Sequence, residues 1–188
     1  MIRKGLAKSN KEAELFINSK KIKVKNFNSD NLFPHTMIEV GSELIIDSSR
    51  FVSRGGEKLD NFFNDVGINF NFNICIDIGA STGGFTDVLL KNGANNVYCI
   101  DSGINQIHPS LQRNPNVFSY EKVNAKYEIK LPIKKADLIV MDVSFISTLK
   151  IIPNLIKFMK NESKIIVLIK PQFEAIRSQV EAGGIISN

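Results

Sequence analysis

The sequence predicts an α/β protein, an open and mostly parallel sheet covered by helices, preceded by a small basic α+β segment. Short, almost continuous apolar runs at 73–78, 96–100, 136–141 and 165–169 alternate with stretches whose apolar residues recur at helical spacing. That is the rhythm of strands buried on both faces of a parallel sheet. Asp77 with Gly79, then Asp101, Asp142 and Lys170, stand at the carboxyl ends of these runs, where open parallel sheets keep their chemistry. One stretch, Ile76 to Leu90, reads as strand, glycine loop and helix in immediate succession.

The chain, of 188 residues and 21.0 kDa, is long enough to bury one ordinary core with a small attachment. Its 24 basic against 19 acidic residues, with a pI of about 9.2, favour an anionic partner. Cys75 and Cys99 flank apolar strand positions, lack CxxC spacing and read as buried thiols of a reducing compartment. No apolar run reaches the roughly 18 residues of a spanning helix. No cleavable leader follows Met1, so a cytoplasmic protein without stable membrane insertion is expected.

Residues 1–25 carry eight Lys or Arg against two Glu. Ser9 and Glu12 form a capping-box pattern, and Ala13, Phe16 and Ile17 give the helix that follows one apolar face. Ile22 and Val24 alternate with Lys21, Lys23 and Lys25, a strand with a lysine row to one side. After a turn cluster at 26–31, Met37–Val40 and Leu44–Ile46 predict a small hairpin broken at Gly41. A basic helix beside a basic-edged strand is an electrostatic footprint for a phosphate backbone. Lys4, Lys8, Lys11, Lys20, Lys21 and Lys23 are its candidate contacts, and a solvated charged surface is the competing reading.

Residues 48–57 read as a polar, Gly-rich linker that carries Arg54, a further candidate RNA contact. Leu59, Phe62, Phe63 and Val66 then mark a helix packed on the sheet, with Lys58 in its first turn, where the helix dipole disfavours a cation. Either Lys58 is simply solvated or it has work at the junction.

In the central stretch, Gly83 and Gly84 open the turn and Phe85, Val88 and Leu89 begin the helix. Gly79, Gly83 and Gly84 are spaced GxxxGG, neither the GxGxxG of a dinucleotide fold nor a phosphate loop with its Lys-Ser/Thr pair. Such a loop exposes backbone N–H groups and lets a ligand approach main chain closely. Asp101 ends the next strand, where a carboxylate accepts from a ribose hydroxyl pair. Asp77 beside the loop would repel a pyrophosphate and tolerate a cationic ligand. Adenosine with an amino-acid tail, as in S-adenosylmethionine, fits best; a different nucleotide or a purely structural turn are the alternatives.

Further on, Gly103–Gln112 predicts a second crossover element limited by Pro109. His108 and His35 lack partners at ligand spacing, so no metal site is expected. Val117 and Phe118 begin a short strand, and Asn124 follows where a side-chain amide can meet an adenine ring. Leu149, Ile152, Leu155, Ile156 and Met159 predict a helix despite Pro153. Asp142 and Lys170, at the ends of neighbouring strands, are either a structural ion pair or catalytic groups.

Two resemblances sharpen this reading. Gly5 to Asn26, GLAKSNKEAELFINSKKIKVKN, resembles an S4 RNA-binding domain, and a partial domain over 1–47 is expected because the usual first helix has almost no counterpart ahead of Gly5. VSRGGEKL (Val52 to Leu59), DIGASTGGFTD (Asp77 to Asp87), DVSFIS (Asp142 to Ser147) and KPQFE (Lys170 to Glu174) resemble the TlyA family, bacterial ribosomal RNA 2'-O-methyltransferases also called haemolysins. That resemblance implies an S4 domain joined to an FtsJ-like, Rossmann-like methyltransferase domain over 58–188. It also implies S-adenosylmethionine as cofactor, held by Asp77, Gly79, Ser81, Thr82, Gly83, Gly84, Phe85 and Asp101, to which the position of Asn124 adds an amide for the adenine, and ribosomal RNA or ribosomal subunits as partner.

The family's Lys-Asp-Lys-Glu tetrad matches Lys58, Asp142 and Lys170, while its glutamate, on a later strand, would fall beyond Asn188. Five strands are counted where such sheets usually have seven, so a C-terminal truncation is expected. Lys170 is expected to deprotonate or orient the ribose hydroxyl, Asp142 to orient that amine, and Lys58 to position the hydroxyl. A catalytically impaired RNA-binding protein is the alternative. A membrane-active haemolysin would need a spanning or strongly amphipathic segment, which the sequence lacks.

Overall fold

The computed structural model describes residues 1–19, 21–28, 32–46 and 50–186. Its centre is a five-stranded, all-parallel sheet of β3 (Ile74–Ile78), β4 (Asn96–Ile100), β5 (Val117–Tyr120), β6 (Ala136–Met141) and β7 (Met159–Val167), in spatial order β5-β4-β3-β6-β7. The chain winds outward from β3 through β4 to β5, then returns to the other side of β3 as β6 and β7. The switch point therefore lies between β3 and β6, whose ends meet at Ile78 and Met141, and a crevice forms where the loops diverge.

Both faces of the sheet are covered. Cys75, Val97, Cys99, Leu138 and Val140 pack with Leu59 and Phe63 of α2 (Gly55–Asp65) and Val88 and Leu89 of α3 (Gly84–Lys91). Ile76, Ile78, Ile100, Ile139 and Met141 pack on the other face with Leu155 of α5 (Ile152–Leu155) and Phe158. Burial on two sides is why these strands read as continuous apolar runs rather than alternating ones.

The small N-terminal unit holds α1 (Asn10–Asn18), β1 (Ile22–Val24) and β2 (Leu44–Ile46). Ser9 Oγ accepts from Glu12 N at 3.1 Å, and Glu12 reaches back to Lys8 N at 2.5 Å, which realises the capping pattern one residue further out than the usual box. Ile22 and Val24 are buried and Lys23 is exposed, as alternation predicts.

Several elements differ from expectation. Leu44–Ile46 pairs antiparallel with Ile22–Val24 instead of forming a hairpin with Met37–Val40. Met37 and Val40 are fully exposed and bury nothing that could hold a strand there. The expected helix over 149–159 breaks into α5 flanked by 3₁₀ turns at Thr148–Lys150 and Ile156–Phe158, and Met159 already belongs to β7. β7 begins six residues before the apolar run at 165–169 because its register on β6 shifts between Ala136 and Leu138, a bulge that polar residues occupy. Within the polar linker, Phe51 and Val52 are buried, and α2 starts at Gly55. α4 (Pro109–Gln112) is a single turn with Pro109 in its first position.

Candidate functional site

The loop after β3 passes directly over the end of β6. Gly79 has φ of 78°, its N–H bonds Ile100 O at 2.8 Å, and a Cβ there would stand 2.5 Å from Asp142 O. Only glycine allows that approach. Gly84 solves a second crowding problem, since its Cβ would lie 2.4 Å from Ser53 Oγ and 2.8 Å from Gly56 N, where α3 crosses α2. The close helix crossing brings Lys58, one turn into α2, to the crevice.

Two cavities open on either side of Asp142. One, of about 540 Å³, is bounded by Arg54, Lys58, Thr82, Phe85 and Lys170, with Asn18 and Ser19 of the N-terminal unit on its far wall. The other, of about 760 Å³, is bounded by Ile78, Asp101, Val123, Asn124, Phe145 and Lys150. Gly79, Ser81, Asp142 and Ser144 line both, so Asp142 stands in the partition.

Its carboxylate is gripped from two directions. Lys58 Nζ bonds Oδ2 at 3.3 Å, and Lys170 Nζ makes an ion contact with Oδ1 at 2.6 Å that is outside hydrogen-bond alignment. Lys170 directs its hydrogen bond to Ser144 Oγ instead, at 2.8 Å. The two lysines differ in setting: Lys58 is 54% exposed and Lys170 22%.

The loop bearing Asp142 is fastened to the loop bearing Lys170. Glu174 of α6 (Pro171–Glu174) accepts from Ser147 Oγ at 2.5 Å, Thr148 N at 2.7 Å and Thr148 Oγ1 at 2.9 Å, and Phe145 packs on Phe173 with centroids 5.3 Å apart. The Ser147 hydrogen bond, followed by that of Thr148 N, holds the Glu174 carboxyl below its ordinary range. Phe145 is 92% exposed and has φ of 64°, a left-handed conformation costly for a bulky residue.

The FtsJ-like methyltransferase family matches residues 51–187. The chain belongs to that family. Hemolysin A of Brachyspira hyodysenteriae is 44% identical over 158 residues, 81% of this chain and 64% of that protein. The 16S/23S rRNA (cytidine-2'-O)-methyltransferase TlyA of Mycobacterium tuberculosis (strain ATCC 25618 / H37Rv) is 36% identical over 99% of this chain and 70% of its own length. A solved hemolysin-named structure from Streptococcus thermophilus superposes with a TM-score of 0.72 at 35% identity, covering 99% of this chain and 69% of that one. The chain thus spans about two thirds of the length of the relatives it matches.

Within the FtsJ-like domain, Asp101 and Asn124 face the larger cavity, and Thr82, Gly84, Phe85, Arg54, Lys58 and Lys170 face the smaller. Asp101 accepts from Ser81 N at 2.8 Å and Gly103 N at 2.7 Å, so backbone donors fix its carboxylate at the cavity edge. Asn124, which lines the same cavity, accepts from Lys126 N through Oδ1 at 3.0 Å.

Asp77 and Gly83 line neither cavity. Asp77 is 1% exposed beneath the loop, with Oδ2 accepting from Thr86 Oγ1 at 2.7 Å, and Oδ1 has no hydrogen-bond partner among the described residues. Burial, opposed by the Thr86 hydrogen bonds, pushes its pKa up to about 7. The same burial raises the thiols of Cys75 and Cys99, both free.

Of the basic candidates in the N-terminal unit, Lys4 bonds Ser42 O at 2.6 Å, Lys8 and Lys23 are exposed, Lys21 is half-buried, and Lys11 lines a third cleft. Lys20 lies outside the described residues. Asn18, Ser19, Ser53 and Ser144 were not singled out from sequence. Ser53 and Ser144 carry a local signal, each inside a quoted motif; Asn18 and Ser19 reach the cavity through tertiary packing.

Proposed function

We propose that the chain methylates the 2'-hydroxyl of a ribose in ribosomal RNA, with S-adenosylmethionine as donor. The observation that carries this reading is Asp142 in the partition between two cavities, with a lysine on each carboxylate oxygen. The larger cavity suits an adenosine with a short zwitterionic tail: an apolar wall at Ile78 and Val123, the Asn124 amide, and an Asp101 carboxylate aligned for ribose hydroxyls. When bound, S-adenosylmethionine supplies an electrophilic methyl group.

The chain's residues then have separable tasks. Arg54 and Lys58 meet the RNA at the smaller cavity, a site that takes a phosphate-linked ribose. Lys58 Nζ and Asp142 Oδ2 hold the 2'-hydroxyl oxygen in line with the partition, because alignment is the main lever on a displacement of this kind. Lys170 Nζ, held by Asp142 and Ser144, orients the hydroxyl or, in its neutral amine form with its own proton already released to solvent, receives the hydroxyl's proton. In this reading residues 1–47 are a partial S4-like unit that supplies RNA affinity, and the methyltransferase domain begins at about Phe51, inside the stretch expected as linker, where the family match starts and the chain enters the core.

The test is incubation of ribosomal subunits with methyl-labelled S-adenosylmethionine, using this chain and a version extended with the part of a relative's length that it does not match. Label recovered in 2'-O-methylnucleosides is expected. Label in bases, or none with either version, would overturn the reading, and RNA binding without transfer would favour an impaired RNA-binding protein.

A further inference from the structure

A third cleft, of about 720 Å³, separates α1 from the loops at 81–82 and 104–106. It is continuous with the site: Asn18 and Thr82 also line the smaller cavity, Gln106 also lines the larger, and Ser81 lines all three. We propose that this cleft is a nucleobase site for the nucleotide adjoining the one whose ribose lies at Asp142, an inference that rests on RNA being the substrate.

Three features select a base. Asn18, Asn105 and Gln106 bring three carboxamides, each with a donor and an acceptor, the pairing that base edges require. Leu15 and Ile104 stand on opposite sides, and Ile104 is 52% exposed, an apolar surface with no packing role that a base face can cover. The charged residues, Lys11 and Glu14, cancel, so the cleft lacks the net positive charge that a phosphate site needs.

The loop is built rather than loose. Asn105 has φ of 53°, and its N–H donates to Glu121 Oε1 at 2.7 Å. Because α1 forms one wall and the FtsJ-like domain the other, the N-terminal unit would read the strand beside the target instead of only adding affinity.

Zero-length ultraviolet cross-linking of the full chain to ribosomal RNA, followed by mass spectrometry of nucleotide-bearing peptides, tests this, because such links form through bases. Adducts are expected on 11–18 or 104–106, with yield at least tenfold lower in Ile104→Asp and affinity for S-adenosylmethionine unchanged. Asn105→Ala should weaken binding of a single-stranded RNA about tenfold, by anisotropy. Adducts elsewhere only, or equal yield and affinity in parent and variants, would overturn the proposal. Adducts in the cleft without any methyl transfer would leave the base site standing and remove the methylation reading.

Discussion

At the scale of single residues, two acids on neighbouring strands, two register positions apart, have opposite fates. Asp77 lies within β3, and its side chain is sealed among Thr86 and Cys99, whereas Asp142 lies just past β6 and opens into both cavities. Sequence placed both at strand ends but could not tell which is capped by the loop, since that depends on where α3 folds back. The buried acid has a consequence for stability. The folded protein keeps a proton on Asp77 up to about pH 7, while the unfolded chain releases it near the ordinary value of 3.8. Between these values the native state binds more protons, so this group's contribution to stability falls as pH rises and levels off above about pH 7. Asp77→Asn should flatten that slope and stabilise the protein on the order of a few kcal/mol at the alkaline end. Denaturant midpoints measured across that window check it, and parallel curves for parent and variant would remove Asp77 as the cause.

The larger cavity holds an acid of its own. Asp101→Ala removes the carboxylate that Ser81 and Gly103 hold at its edge, and affinity for S-adenosylmethionine should fall about tenfold or more. Calorimetry giving equal affinities would take Asp101 out of the site.

At the scale of elements, the loops after β6 and β7 act as one unit. Asp142 and Ser144 meet Lys170, Phe145 meets Phe173, and Ser147 and Thr148 meet Glu174. Glu174→Ala should slow methyl transfer about tenfold while leaving RNA affinity intact, and Glu174→Gln, which keeps an acceptor for Thr148, should restore most of the rate. The clamp depends on a carboxyl held below its ordinary range, so its contribution is present above that range and disappears as pH drops through the folded value. An equal rate in the alanine variant would reduce Glu174 to a surface contact. β3, β4 and β6 are legible in sequence because both of their faces are buried, whereas the start of β7 is not, because Lys160, Asn161 and Glu162 at its bulge carry no apolar period. Leu44–Ile46 was legible as a strand, but its partner was not, since a three-residue strand carries too little pattern to specify register.

At the scale of the molecule, the basic surface of the N-terminal unit and the paired cavities face a common task. Replacing Lys21 and Lys23 with Ala should weaken RNA binding and reduce its salt slope by about 0.7 for each phosphate no longer neutralised, without altering cofactor affinity. An unchanged slope in filter binding would place the RNA surface elsewhere. The motifs identified three corners of the site from sequence, but the wall formed by Asn18 and Ser19 was invisible there, because only the docking of α1 beside the loop at 81–82 brings it near.

In the proposed reaction, methyl transfer occurs at Asp142 under the control of Lys170. Single-turnover transfer from labelled S-adenosylmethionine to ribosomal RNA, compared among the parent, Asp142→Ala and Lys170→Ala in whichever version transfers methyl groups, tests it most directly. Each substitution should slow transfer by at least about 100-fold, with RNA and cofactor binding retained; transfer at the parent rate in either variant would contradict the role assigned to that residue.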